Sequence, residues 1–320
     1  MKAAIVEDFS LPPRYRDFVP PDPENGETLV QVHTAALSVL VRGQASGRHY
    51  SSEGVLPFIP GVDGVGRLSS GERVYFAQPR SPYGSMAELC VVQQRLCIPV
   101  PEGIDDVTAA AIANPGMSSW AALTRRAILA KGETVLINGA TGTAGRLAIQ
   151  IAKHLGAKKV IATGRNAATL EMLPSLGADV VLSLDRSDAE LVATFRRELA
   201  DDNVDIILDY LWGSPAECLI RAFASKGSPS GGHRVRFVQI GSIAGPEVKL
   251  PAEILRSSGL EILGSGFGSV SVAALLQSIG ELFANATSAN LHIDAETAPL
   301  ADVEAAWNRN TGDRLVFTLA

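Results

Sequence analysis

Cysteine is scarce in this chain, at 3 of 320 residues. Cys90, Cys97 and Cys218 form no C-x-x-C pair, which excludes a cysteine-rich zinc lobe and a redox dithiol. Each is expected to act as a small buried hydrophobe in a reducing cytosol. Basic charge is in short supply too. The net charge is -6 and no Lys/Arg run occurs, so nucleic acid has no electrostatic footprint to follow. No apolar run approaches the length that crosses a membrane. The first eight residues read as a charged strand and not as a signal peptide, so a cytoplasmic protein is expected. Against these absences, 46% of residues are hydrophobic and 19% charged, the balance of a globular protein. The length is too great for one core and sufficient for two.

The chain is organised around Glu133-Thr-Val-Leu-Ile-Asn-Gly-Ala-Thr-Gly-Thr-Ala-Gly145. An apolar strand runs into a tight glycine turn and then into a helix. Leu147, Ile151 and Leu155 recur at helical spacing, and Gly156 stands where a left-handed cap belongs. Ala140, Gly142 and Gly145 occupy the places of a G-x-G-x-x-G fingerprint, with Ala at the first Gly. Small residues there permit the turn, close approach of a pyrophosphate and close helix–strand packing. Bare amides at the helix start favour an anion. Ala140, Thr141, Gly142, Thr143, Ala144 and Gly145 are therefore the expected dinucleotide cradle; a purely structural glycine turn is the plain alternative.

The next strand, residues 159–163, leads into Gly164, Arg165 and Asn166. An NAD site wants an acidic residue here for the ribose 2′-OH. This chain has none, and Arg165 suits a 2′-phosphate instead. NADPH is the expected cofactor, against the reading of Arg165 as a solvated loop cation.

Residues 1–115 are strand-rich with Gly/Pro punctuation, as in a small β-barrel-like unit. Strands are expected over 2–6, 28–34, 71–76 and 85–92. A proline-rich loop follows the first, and a turn-dense segment covers 57–66. A helix from 106 is expected to be interrupted at Asn114-Pro-Gly116 and to resume over 118–129. From 133 strands and helices alternate: strands at 134–138, 159–163, 180–182, 204–209, 235–240 and 260–263. These uniformly apolar strands fit a doubly wound parallel sheet, an α/β fold covered on both faces. The Gly/Ser-rich segment 226–233 reads as a connection. The tail is expected to hold a helix over 270–283, a strand near 291–293, a helix over 301–308 and a strand over 314–319.

Several segments together resemble the medium-chain dehydrogenase/reductase superfamily, in its zinc-independent quinone oxidoreductase branch. They are Pro60-Gly-Val-Asp-Gly-Val-Gly66, Gly71-Glu-Arg-Val74, Gly84-Ser-Met-Ala-Glu88, Gly116-Met-Ser-Ser-Trp-Ala-Ala-Leu123, the glycine turn, Leu176-Gly-Ala-Asp179, Val238-Gln-Ile-Gly-Ser242 and Gly312-Asp-Arg-Leu-Val316. The resemblance implies a Rossmann domain over 116–267. It also implies a GroES-like catalytic domain from both chain ends, 1–115 and 268–320, with the active site in the cleft between them. It implies a homodimer or tetramer, of which the dimer is expected here. Where the zinc enzymes carry Gly-His-Glu, this chain has Gly61-Val-Asp63, so no metal is expected. Segment 38–42 reads Ser-Val-Leu-Val-Arg, where quinone reductases tend to carry Asn and Asp.

Without a Lewis acid, the favoured reaction is hydride delivery to an electron-poor acceptor, whose developing oxygen one hydrogen bond can stabilise. A quinone is expected; an enone, alkenal or enoyl thioester is the alternative. A non-catalytic NADPH-binding protein is the reading of another class. By the resemblance, Ser118 faces the nicotinamide. Tyr210, Leu211 and Trp212 form one nicotinamide-side turn, and Gly241 and Ser242 another. Phe267 sits in a cleft loop, and Tyr50 lines the substrate side, where its phenol is a donor to a developing oxyanion; a surface aromatic is the plain alternative. Trp120 and Trp307 read as core residues. His49 reads as a solvated loop residue and Arg42 as a salt-bridging or substrate-facing cation.

Overall fold

A computed structural model of the chain describes residues 1–49, 52, 54–224, 233–309 and 312–319. Tyr50 and nearly all of the 226–233 connection lie outside the described residues. The chain divides into two compact units. One holds Met1–Asn114, Ile279–Thr287 and His292–Ala320; the other holds Pro115–Ser278 and Ser288–Leu291.

The first unit begins with β1 (Lys2–Ile5) and β2 (Arg14–Asp17), an antiparallel pair. β2 falls inside the expected proline-rich loop. Then come β3 (Glu27–Ala36), the short helix α1 (Val39–Ala45), β4 (Asp63–Leu68), β5 (Arg73–Ala77), β6 (Leu89–Gln93) and β7 (Cys97–Pro99). β4 emerges from the end of the turn-dense segment, because Gly64 and Gly66 are strand residues pressed against the backbone of β3.

Helix α2 (Asp106–Ala121) is continuous, with Pro115 inside it. The expected interruption does not occur. A proline removes one helical hydrogen bond and crowds the preceding turn, a cost that packing outweighs here. Ala109–Ala113 and Trp120–Leu123 are buried. The helix ends in a π-helical turn, Ala122–Arg126.

The second unit continues with β8 (Thr134–Asn138), α3 (Thr143–His154), β9 (Lys159–Gly164), α4 (Ala167–Met172) and β10 (Val180–Ser183). It is completed by α5 (Asp188–Asp201), β11 (Ile206–Asp209), α6 (Gly213–Ala222), β12 (Arg234–Gln239), α7 (Ala252–Ser257) and β13 (Gly259–Gly264). The six strands form one parallel sheet in the order β10-β9-β8-β11-β12-β13. The chain winds outward from β8 to β10 and then crosses back to β11, on the other side of β8. That reversal is a topological switch point, outside whose carboxyl ends a ligand binds in such sheets. Leu136, Phe195, Ile207, Phe237 and Leu260 belong to its core. Gly156, just past α3, has φ +97°, as its place in the sequence predicts.

The tail supplies α8 (Val272–Asn285), β14 (Ala295–Pro299), α9 (Val303–Ala306) and β15 (Arg314–Thr318). The strand expected near 291–293 lies instead at β14, because its partner β15 pairs in parallel from Ala295 onward. β15 also pairs with β3, so the tail strands complete the mixed sheet β14-β15-β3-β4-β5-β7, with β6 paired to β3. This sheet and the parallel one are the GroES-like and Rossmann folds expected from the sequence. Cys90 and Cys218 are fully buried among apolar side chains, as expected, whereas Cys97 is half-buried, and burial pushes its thiol up to about 11.

In the first unit Asp63 is 3% exposed. Its Oδ2 accepts from the Tyr75 hydroxyl at 2.8 Å, while burial raises the carboxyl's pKa against the field of the buried Arg314. Removing the only hydroxyl donor leaves a buried acceptor unmatched, at about 1–3 kcal/mol. Tyr75→Phe is therefore expected to lower stability by about that amount, measured as a shift in the denaturant midpoint.

Candidate active site

The site is built at the carboxyl ends of β9, β8, β11 and β12. The last residues of the apolar strands form a row in register: Thr163 beside Asn138, Asn138 beside Asp209, Asp209 beside Gln239. Thr163, Asn138 and Asp209 are each 0% exposed. Buried polar groups must be paired, and these pair with one another. The Thr163 hydroxyl donates to Asn138 Oδ1 at 2.8 Å, and Asn138 Nδ2 donates to Asp209 Oδ1 at 2.7 Å. Thr163 Oγ1 also accepts from the Gly139 amide at 3.3 Å, and its carbonyl accepts from the Ala140 amide at 2.7 Å. The glycine turn is thus moored to β9 through its first two amides.

Beyond that mooring the turn is shaped by missing side chains. A Cβ on Gly145 would stand 2.5 Å from the Ala140 Cα, so helix α3 can pack this closely only with glycine there. A Cβ on Gly164 would stand 2.2 Å from Thr141 Cγ2, which fixes the turn against the end of β9. At Gly142 the nearest atom to such a Cβ is 3.8 Å away, and the residue is exposed. Gly142 is the N-cap of α3 and offers no side-chain cap. The first-turn amides of the helix are left for an external acceptor.

Arg165 is exposed, and among the described residues no carboxylate pairs with it. Asn166, expected beside it as a cofactor residue, has a structural duty: its Oδ1 caps α4 by accepting from the Thr169 amide at 2.9 Å.

The turn after β11 carries Tyr210, Leu211 and Trp212. Asp209 accepts the Leu211 amide at Oδ1 (3.2 Å) and the Trp212 amide at Oδ2 (3.1 Å). Trp212 has φ +55° and ψ -158°. That region is essentially reserved for glycine, and a side chain there costs of the order of 1–3 kcal/mol. Burial pushes the Asp209 carboxyl up to about 6, against the pull of its three hydrogen-bond donors. The loop after β12 is tied to the same turn. Ile240 and Gly241 amides donate to the Asp209 carbonyl at 2.8 and 3.1 Å, and Ala244 donates to the Leu211 carbonyl at 2.8 Å. Ser242 is exposed beside Gly241, and Phe267 is 53% exposed after β13.

Tyr210 turns inward. Its hydroxyl lies 2.7 Å from Ser119 Oγ, and burial pushes the phenol up to about 12 against hydrogen bonds from Ser119 and Ser118. Ser118 also donates to the Pro115 carbonyl at 2.7 Å. Ser118 and Tyr210, separate in the sequence, are thus neighbours. Ser119, Asn138, Thr163 and Asp209 were not anticipated from the sequence. Their signal was weak: polar residues closing apolar strands, or the second of two adjacent serines.

Comparison with known proteins matches residues 144–281 to the zinc-binding dehydrogenase family model. Over 359 aligned positions the chain is 29% identical to a probable NADPH-dependent quinone reductase, tdiC, of Emericella nidulans, covering 99% of each chain. The solved quinone oxidoreductase of Thermus thermophilus, also known in complex with NADPH, superposes with a TM-score of 0.80 at 25% identity, over 100% of both chains. The family model, the curated relative and the solved structure together support the medium-chain dehydrogenase/reductase superfamily, in its quinone oxidoreductase branch. A second relative, the trans-enoyl reductase pgmF of Aspergillus terreus, is 28% identical over 66% of this chain and 53% of its own length.

Medium-chain dehydrogenases with catalytic zinc need three protein ligands. Among the described residues no three His, Cys, Asp or Glu side chains gather to hold a metal, and Asp63 is sealed against Tyr75. The described residues offer no set that fits that ion. Trp120 and Trp307 are buried, at 4% and 6% exposure. Arg42 donates to the Arg309 carbonyl at 3.2 Å, and His49 is half-buried, a desolvation that lowers its pKa.

The two glycines separate shape from access. Gly145→Ala must push backbone and is expected to cost about 1–3 kcal/mol. Gly142→Ala, with open space around it, is expected to change stability by less than about 1 kcal/mol. Paired denaturant titrations check both.

Proposed function

We propose that this chain is an NADPH-dependent reductase that passes hydride to a quinone without a metal. The observation that carries the reading is an uncapped helix start opening from a glycine turn, with the strand beside it ending in an unpaired arginine and no acid. In this reading the first-turn amides of α3, from Thr143 to Gly145, with Ala140, Thr141 and Gly142, hold the pyrophosphate. Gly164 and Asn166 shape the turn that presents Arg165 to the 2′-phosphate. Tyr210, Leu211, Gly241 and Ser242 hold the nicotinamide end. When bound, the cofactor supplies hydride from its nicotinamide C4. Phe267 offers an apolar face for a planar acceptor. Ser118 orients the nicotinamide side, and Tyr50 donates to the oxygen on which negative charge develops. That Emericella and Thermus relatives carry NADPH and quinone in their names supports the cofactor and the acceptor class.

The likeness to a trans-enoyl reductase supports a second reading on the same site, reduction of an α,β-unsaturated carbonyl. We further infer a homodimer in the cytoplasm. Among the described residues β13 pairs with β12 alone, and an open strand edge is a template for another chain. No described helix is long and apolar enough to cross a membrane.

Oxidation of NADPH against a benzoquinone, a naphthoquinone, a small enone and crotonyl-CoA discriminates the readings. A large preference for the thioester would defeat the quinone reading, and no turnover with any of the four would favour the non-catalytic one. Arg165→Ala is expected to weaken NADPH binding roughly tenfold or more, the scale of a charge-assisted hydrogen bond, and NADH binding far less. Equal losses would remove the phosphate role.

A further inference from the structure

The Asp209 carboxylate is itself assigned above to neither cofactor nor acceptor, yet three donors converge on it and a strained turn hangs from it. We propose that Asp209 is a positioning residue for the cofactor: held by Asn138, its carboxylate draws in the Leu211 and Trp212 amides and fixes the β11–α6 turn in the shape that receives the nicotinamide end. The proposal rests on the NADPH reading above.

The geometry favours an anion. Asn138 Nδ2, the Leu211 amide and the Trp212 amide all donate to this one carboxyl group. A protonated acid would keep its acceptor lone pairs but lose the charge that strengthens all three contacts, and the oxygen carrying the proton would hold its amide more weakly. The weakest strut is the Trp212 amide, because its residue sits where only glycine is comfortable and returns to ordinary backbone once released. Release would carry Leu211 with it, whose side chain lies against Gly139 of the glycine turn and whose carbonyl holds Ala244 of the β12 loop.

The same geometry makes the turn responsive to pH. Neutral groups surround Asp209: Asn138 from β8, Thr163 beyond it on β9 and Gln239 from β12. Of the ionisable groups on the turn and helix that follow β11, Tyr210 bonds to Ser119, Glu217 on α6 accepts from the Lys249 amide, and Arg221 faces Asp188. Arg146 on α3 is buried. Among the described residues no charged side chain offsets the burial that raises the Asp209 pKa to about 6. Acidification through that range therefore protonates the group and loosens the turn.

The test uses the full chain and two readouts. Tryptophan emission of the cofactor-free protein follows the environment of Trp212, with Trp212→Phe assigning the signal. Equilibrium binding of NADPH between pH 5 and pH 8 follows the site. Wild type is expected to show an emission change and a fall in affinity sharing a midpoint near 6. Asp209→Asn is expected to bind NADPH roughly ten- to a hundredfold more weakly at pH 8 and to lose the emission step. The 2′-phosphate of NADPH titrates in the same range, but its contribution is common to both proteins. Asn138→Ala removes a hydrogen bond that lowers the pKa, so it is expected to move both midpoints to higher pH. It serves as well if Asp209→Asn does not fold. Wild-type affinity and an unchanged pH step in Asp209→Asn, or unmoved midpoints in Asn138→Ala, would overturn the inference alone. Failure of wild type to bind NADPH at pH 8 would overturn the cofactor reading, and this inference with it.

Discussion

A carboxylate shut away from water at the end of a parallel strand must be satisfied by whatever the protein brings to it. Asp209 is fully buried, and its partners come from the neighbouring strand and from its own following turn. Through Asn138 it is joined to Thr163, and through Thr163 to the first two amides of the glycine turn. Three loops that leave three different strands are therefore set relative to one another by one hydrogen-bonded row. Backbone pairing in a parallel sheet fixes strands but leaves their exits free. The polar row supplies what the ladder does not, and because every member is paired it does so without an orphaned buried group.

Much of this fold is legible as sequence because hydrophobic burial leaves a periodic trace. Thr134–Asn138 is bounded as its apolar run predicts, and the glycine turn follows where strand and amphipathic helix meet. Misreadings occur where a local rule was outvoted by packing. Pro115 suits a helix break, yet buried alanines on one side and Trp120 on the other hold the helix through it. β14 is the sequence Ala-Glu-Thr-Ala-Pro, with no alternation to betray a strand; it exists because β15 offers a parallel edge. The site divides in the same way. Gly142 and Gly145 announce themselves by what they lack. Asn138 and Asp209 do not, since a polar residue ending an apolar run is equally a loop beginning. Nor does Trp212, whose left-handed backbone is a property of the turn it closes.

The first unit repeats this logic with a different outcome. Asp63 stands in the segment where zinc-using relatives place Gly-His-Glu, and it is buried beside Tyr75 and in the field of Arg314. Tyr75 in turn meets Phe283 edge-on at 5.8 Å. The Oδ2 of Asp63 is thus committed to the sheet interior, while Oδ1 is buried without a hydrogen-bond partner. The segment thus works as an internal brace.

The thermodynamics of Asp209 argue that its charge serves placement and not stability. Its folded pKa, about 6, lies above the ordinary 3.8, so between those values the folded chain binds the proton more tightly than the unfolded chain does. By linkage this group's contribution to stability is fully present below the ordinary value and is lost as pH rises through the folded value. Near neutrality the fold therefore carries an ionised group at a cost, together with a strained Trp212 hung from it. A group kept only to hold the sheet together would do better neutral, with an apolar side chain of similar size in its place. The ionised oxygen atoms offer what such a replacement cannot: two acceptors aimed at consecutive amides, which bend the chain back toward the glycine turn. Stability and placement thus respond to acid with opposite sign at one side chain.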